Sequence, residues 1–179
     1  MEFTNILGEK ITLGNKPGEV KNRKVLDNAP RVEYSPDKPD WNSLSSDGAC
    51  NNSSSSNGMY RIVDNSNNNE LIRSITYTHA TNNIMEFLGL VNAIKIANDF
   101  KKWDTVYTDS ITAISWVRKG HCNTNLEVSP TTEPILAEIR LAEEYLRTTD
   151  LRNILVSKWL TKEWGIEIPA DFGNKKPKH

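Results

Sequence analysis

The chain has 179 residues and a formal net charge of -1, from 22 basic and 23 acidic side chains. This balance excludes a polybasic nucleic-acid binder, although it leaves open an enzyme whose carboxylates offset local basic patches. Hydrophobic residues make up 37% of the sequence, enough for one domain with a core. Two cysteines, Cys50 and Cys122, are too few for a disulfide framework or a structural zinc site.

The sequence has no signal-peptide pattern and no apolar stretch long enough to span a membrane. We therefore expect a soluble protein with free thiols in a reducing, cytoplasmic compartment. Residues 1–40 are rich in glycine and proline and contain one short β-like run at residues 10–14. They predict an extended N-terminal arm or small appendage, followed by a domain over residues 41–179.

The pattern after residue 40 predicts an α/β domain. Alternating apolar residues indicate a three-stranded meander, and apolar residues at helical spacing follow it. The predicted strands are 43–47, 59–64, 70–78, 105–108 and 154–159, and the predicted helices are 83–100, 111–118, one opened by Pro130 and a short one opened by Pro169. The order β-β-β-α-β-α-α-β-α predicts a five-stranded mixed sheet with helices on both faces.

Four acidic residues stand at the boundaries of these elements. Asp47 ends the first strand of the meander, and Asp109 ends the fourth strand. Glu86 lies in the first turn of the long helix, and Asp171 begins the last helix. Each has an ordinary structural explanation: a hairpin turn at Asp47-Gly48, helix capping for Glu86 and Asp109, and a helix-dipole contact for Asp171.

Considered together, the four acids predict one shared site. The strands that end at Asp47 and Asp109 can lie side by side, and the helix of Glu86 can pack over them. Neighbouring carboxylates repel one another unless a cation lies between them, and Mg2+ is a hard cation that prefers oxygen ligands. We therefore predict two Mg2+ ions, roughly 4 Å apart, which would stabilise an in-line displacement at phosphorus.

Three motifs resemble those of the ribonuclease H family: Ser46-Asp-Gly-Ala-Cys50, Ala80-Thr-Asn-Asn-Ile-Met-Glu86 and Tyr107-Thr-Asp-Ser110. The closing segment Trp164-Gly-Ile-Glu-Ile-Pro-Ala-Asp-Phe-Gly173 resembles that of a bacterial and phage-borne branch of the type 1-like enzymes. The resemblance covers residues 41–175 and implies a ribonuclease H-like fold for the domain over residues 41–179.

The resemblance implies an endoribonuclease that hydrolyses the RNA strand of RNA–DNA hybrids and leaves 5′-phosphate and 3′-hydroxyl ends. In this family pattern Asp47 would bridge both metal ions, and Glu86 and Asp109 would hold the ion near the leaving 3′-oxygen. Asp171 would hold the ion that activates the attacking water. Mn2+ is expected to substitute for Mg2+.

The same resemblance implies substrate contacts. Asn82 and Asn83 match positions that meet the hybrid in its minor groove, where 2′-hydroxyls distinguish RNA from DNA. Thr81 matches a position that seats a phosphate of the DNA strand, and helix capping is the alternative for all three residues. Arg118 and Lys119 are candidates for contacts to backbone phosphates, with a solvated helix end as the alternative.

The loop after the last strand departs from the family pattern. Many members have a histidine there, whereas the histidines of this chain are His79, His121 and His179. Glu163 lies in that loop, and we expect it to take the place of the histidine in catalysis. A solvated surface charge is the alternative.

Two other functions stay open at this point. A DNA-directed nuclease or integrase of the same fold is disfavoured, because Ala49 stands where exonucleases carry a second acid and integrases usually end with glutamate at the position of Asp171. A non-catalytic hybrid-binding module is disfavoured because all four acids are present. We expect a monomer that acts on RNA–DNA hybrids without an obligate protein partner.

Overall fold

The computed structural model describes residues 23–34, 37–51 and 54–172, together with two short N-terminal strands. These strands, β1 (Glu2–Thr4) and β2 (Lys10–Thr12), pair antiparallel, which confirms the first three residues of the β-like run at residues 10–14. The rest of the predicted arm up to residue 22 lies outside the described residues, as does the chain from residue 173 onward.

A mixed sheet forms the centre of the domain. Its strands are β3 (Arg31–Val32), β4 (Ser43–Cys50), β5 (Gly58–Asp64), β6 (Asn69–Arg73), β7 (Thr105–Thr108) and β8 (Leu155–Lys158). They are arranged in the order β3-β8-β7-β4-β5-β6. β4, β5 and β6 form the predicted antiparallel meander, and the other neighbours pair in parallel.

Four helices accompany the sheet in the described residues. They are α1 (Asn82–Phe100), α2 (Ile111–Lys119), α3 (Glu133–Thr148) and α4 (Thr161–Trp164). The N-caps of α1 and α2 are Thr81 and Ser110, whose hydroxyls accept from backbone N–H groups inside each helix. The predicted start of α3 at Pro130 is wrong, because the helix begins at Glu133 with Pro134 in its first turn.

The sheet is covered on both faces, as predicted. Because successive strand side chains point to opposite faces, Val106 joins the main core under α1, α2 and α3, while Tyr107 lies on the other side. There Tyr107 packs with Trp159 and Ile168, and the half-buried Trp164 of α4 contacts this cluster. This second cluster anchors the closing segment of the chain against the sheet.

The structure differs from the predicted elements at three places. The sheet has six strands rather than five, because Arg31 and Val32 pair with Leu155 and Val156 of β8. β6 ends at Arg73 instead of extending to residue 78. The helix predicted from Pro169 is wrong, since residues 169–170 form a turn and the short helix α4 precedes them.

Residues 23–34 belong to the predicted N-terminal arm, and they contact the domain through backbone and side-chain hydrogen bonds. The Leu26 N–H donates to the carbonyl of Arg118 at 2.9 Å, and the Asn28 side-chain amide donates to the carbonyl of Leu146 at 2.9 Å. In the part of the chain that the structure describes, no helix combines the length and apolar content needed to cross a membrane.

Candidate active site

Asp47 and Asp109 meet because β4 and β7 are neighbours. Ser45 of β4 lies opposite Tyr107 of β7, so two residues further along each strand bring Asp47 level with Asp109. The predicted side-by-side arrangement is therefore confirmed. Asp47 is inside β4 rather than at its end, and it is only 6% exposed. Asp109 directly follows β7.

Glu86 reaches the sheet because α1 approaches β4 at a glycine. A Cβ added at Gly48 would lie 2.6 Å from the backbone nitrogen of Glu86 and 2.5 Å from the carbonyl carbon of Met85, closer than any real side chain allows. With no side chain there, the Gly48 N–H donates to Glu86 Oε1 at 3.2 Å. Glu86 lies in the second turn of α1, not in the first turn as predicted.

The three carboxylates form a compact group. One oxygen each from Asp47, Glu86 and Asp109 lies within 4.8 Å of the other two. They come from a strand, a helix and the residue after a second strand, so the fold fixes their relative positions. An all-oxygen set of this kind suits a hard divalent cation.

Burial raises the pKa of each carboxyl in the group. Burial is the largest cause for Asp47, and the negative charges of Asp109 and Asp171 add to it, while donation from the Phe172 N–H lowers the pKa. For Glu86, burial is again the largest cause and the charges of Asp47 and Asp109 raise the pKa further. A site in which carboxyls resist ionisation is one that gains from a positive ion.

Asp171 lies near this group but on an irregular segment. Its charge raises the pKa values of Asp47 and Asp109, which places it within electrostatic reach of both. Among the described residues, however, the group with mutual distances below 4.8 Å contains the other three acids and not Asp171. The next residue makes the direct link, because the Phe172 N–H donates to Asp47 Oδ2 at 2.8 Å.

The predicted substrate residues fall at two separate places. Thr81, Asn82 and Asn83 are exposed around the N-terminus of α1, one turn before Glu86. Arg118 and Lys119 are at the C-terminus of α2, whose N-terminus follows Asp109. Nine helical residues span roughly 13 Å, so the structure does not bring this second pair to the carboxylates.

Sequence reasoning missed two side chains near the site, Glu167 and Lys158. Both act on the pKa of Asp109. Burial is the largest cause that raises this pKa, the charge of Glu167 raises it further, and the charge of Lys158 on β8 lowers it. Register explains Lys158, because it lies opposite Thr108, the residue before Asp109. The predicted Glu163 is an exposed residue of α4. No pattern in the sequence distinguished Glu167 from Glu163.

One comparison with known proteins identifies the family of this chain. The family model described as RNase H matches residues 42–158. The chain therefore belongs to the ribonuclease H family. That match includes Asp47, Glu86 and Asp109 but ends before Asp171.

Solved structures of RNase H domains are also similar to this chain. An N-terminal RNase H domain from Mycobacterium tuberculosis, solved as a fusion with maltose-binding protein, is 14% identical with a TM-score of 0.39, and the match covers 66% of this chain and 86% of that one. RNase H1 from the halophilic archaeon Halobacterium salinarum is 22% identical with a TM-score of 0.34, covering 64% and 81%.

Proposed function

We propose that this protein is a metal-dependent endoribonuclease that hydrolyses the RNA strand of RNA–DNA hybrids. The observation that carries the proposal is the meeting of Asp47, Glu86 and Asp109 within 4.8 Å, in a chain of the ribonuclease H family. Carboxylates from three elements meet at a partly buried point where their charges are unfavourable without a cation. Such a site costs stability, and metal binding offsets that cost.

The donor set fits Mg2+, with Mn2+ as the expected substitute. All the side-chain donors are carboxylate oxygens, which hard divalent cations prefer, and neither cysteine belongs to the group. Asp47 would contact both of two ions, Glu86 and Asp109 would hold one, and Asp171 would hold the other. The position of Asp171, near the group but outside its closest contacts, agrees with a second ion on that side.

Two such ions, when bound, would lower the pKa of a bound water and neutralise charge on the leaving oxygen. The residues of the chain supply position. Gly48 allows α1 to lie against β4, and its N–H orients the Glu86 carboxylate. The Phe172 N–H donates to Asp47 Oδ2 and so helps to orient that carboxylate. The proposed products carry 5′-phosphate and 3′-hydroxyl ends.

Recognition of the hybrid is proposed for the exposed start of α1. Asn82 and Asn83 carry amide groups that both donate and accept hydrogen bonds, so they can contact 2′-hydroxyls and base edges in the minor groove. The Thr81 hydroxyl accepts from the Ile84 N–H and retains its own proton for a phosphate oxygen. Arg118 and Lys119, at the far end of α2, are proposed only as contacts to a more distant backbone phosphate.

A gel assay on a labelled RNA–DNA hybrid tests the function. We expect cleavage of only the RNA strand with Mg2+ or Mn2+, no cleavage with chelator, and no cleavage by Asp109→Asn. Double-stranded DNA and double-stranded RNA serve as substrate controls. Cleavage of the DNA duplex would instead favour a DNA-directed nuclease, and tight hybrid binding without turnover would favour a binding module.

A further inference from the structure

Residues 168–172 of the closing segment carry Asp171 and belong to no helix or strand. The Asp171 N–H donates to the Ile168 carbonyl at 2.9 Å, which gives the first turn local backbone support. Ile168 and Ala170 are buried, and this anchors the segment on the sheet. The direction of an irregular backbone also depends on the partners of its carbonyl groups.

Arg61 is such a partner. Its guanidinium donates to three successive carbonyls: Nε to Ala170 at 2.7 Å, and Nη2 to Pro169 at 3.1 Å and to Asp171 at 3.2 Å. The guanidinium also lies 5.5 Å from the centre of the Phe172 ring. One side chain on the sheet therefore contacts four consecutive residues of the closing segment.

Arg61 is itself held in place on the correct face. It lies directly opposite Asp47 in the β4–β5 pair, so both side chains project from the same face of the sheet. Its Nη1 donates to Glu70 Oε1 at 3.1 Å, and its side chain is 17% exposed. Four of the five guanidinium N–H groups thus have an acceptor.

We propose that Arg61 is a positioning residue for the active site: it fixes the backbone of residues 169–171, and through it the Asp171 carboxylate and the Phe172 N–H that meets Asp47. The proposal rests on the function proposed above for Asp171. Arg61 touches no reacting atom. Its planar guanidinium donates hydrogen bonds to the carbonyls of residues 169–171, and these bonds hold that irregular segment in one conformation.

The geometry requires arginine rather than any positive charge. The planar guanidinium has donors pointing in several directions at once, whereas the lysine ammonium is a single point on a flexible stem. Lysine at residue 61 would keep the charge beside Asp47 and lose most of the carbonyl contacts. Arg61→Lys therefore separates a positioning role from a purely electrostatic one.

The first test measures the metal-free protein, with chelator present, by residue-resolved amide hydrogen exchange. In Arg61→Lys the Asp171 and Phe172 amides are expected to exchange about tenfold faster or more, because the hydrogen bonds that hold the segment are lost. The matched control is Arg152→Lys, in which an exposed arginine paired with Asp150 is changed in the same way. Unchanged exchange in Arg61→Lys would overturn the proposal.

The second test measures hybrid cleavage against Mg2+ concentration. Residues that orient a metal ligand typically affect metal affinity or activity by roughly 10- to 100-fold, and we expect Arg61→Lys to raise the half-maximal Mg2+ concentration or lower kcat by that factor. The KM for the hybrid is expected to change little. A wild-type half-maximal Mg2+ concentration together with a wild-type kcat in Arg61→Lys would overturn the proposal.

Two further outcomes keep the test decisive. If Arg61→Lys fails to fold, Glu70→Gln takes its place, because it leaves Arg61 present and removes its carboxylate partner; a smaller shift in the same direction is expected, and no shift would contradict the proposal. If the wild-type protein does not cleave hybrids, the proposed function fails, while the exchange experiment still decides whether Arg61 fixes the segment.

Discussion

Asp47 is expected to destabilise the metal-free protein at neutral pH. Burial and the charges of Asp109 and Asp171 raise the pKa of Asp47 from 3.8 to about 7. In the unfolded chain the same carboxyl ionises near pH 4. Between these two values the unfolded state releases a proton that the folded state keeps, so the free energy of unfolding falls as pH rises from about 4 to about 7.

The size of this effect follows from the structure. At about 1.4 kcal/mol for each pKa unit, the raised pKa of Asp47 corresponds to a loss of about 4 kcal/mol above pH 7. Most of this loss comes from burial, which is the largest cause of the raised pKa, and the charges of Asp109 and Asp171 add to it. Asp47→Asn removes the charge but keeps an oxygen that accepts from the Phe172 N–H.

We therefore expect Asp47→Asn to raise the free energy of unfolding by about 2–4 kcal/mol at pH 8 in chelator, with no difference below about pH 4. Urea unfolding of both proteins from pH 4 to pH 8 measures this. Added Mg2+ is expected to stabilise the wild type and to have less effect on the variant. A variant that is less stable at pH 8, or a difference independent of pH, would refute the reasoning.

Three further predictions follow from single contacts. Gly48→Ala is expected to lower the free energy of unfolding by about 1–3 kcal/mol and to reduce cleavage, because the new Cβ would overlap α1; thermal unfolding and the gel assay measure this. Gly89→Ala is the control and should lose less stability, because its new Cβ would lie 3.1 Å from the nearest atom. Glu167→Gln is expected to lower the pKa of Asp109 in an NMR titration of the metal-free protein, and a matching fall in Glu163→Gln would contradict this assignment. Glu143→Ala is expected to lose about 2–3 kcal/mol of stability with cleavage unchanged, because the buried Glu143 carboxylate accepts from a backbone N–H in the loop after α2.

Helices and strands whose apolar residues recur at a regular spacing were predictable, because that spacing shows which face of the element is buried. The sequence predicted residues 105–108 as a strand, and β7 has those bounds. It predicted a helix from residue 83 to 100, and α1 differs by one residue. By contrast, β3 has only two residues, too few to show an alternation of apolar and polar side chains. It forms because its backbone pairs with the edge of the sheet at β8.

The four acids could be named from the sequence because their motifs are local. Their arrangement could not be, since it depends on pairing and packing between distant segments. The register of β4 and β7 places Asp47 opposite Asp109. Because Gly48 has no side chain, α1 can lie close enough to β4 for Glu86 to reach them.

The closing segment shows the difference most clearly. Its sequence identifies Asp171 as a candidate ligand, but the helix that the sequence predicts from Pro169 is a turn in the structure. In the folded protein, Arg61 donates hydrogen bonds across 108 to 110 positions of sequence to the backbone around Asp171. A contact of that range leaves no periodic signal in either segment. Local sequence motifs are therefore enough to identify the candidate ligand residues. The direction in which each carboxylate points depends on hydrogen-bond partners that only folding brings together.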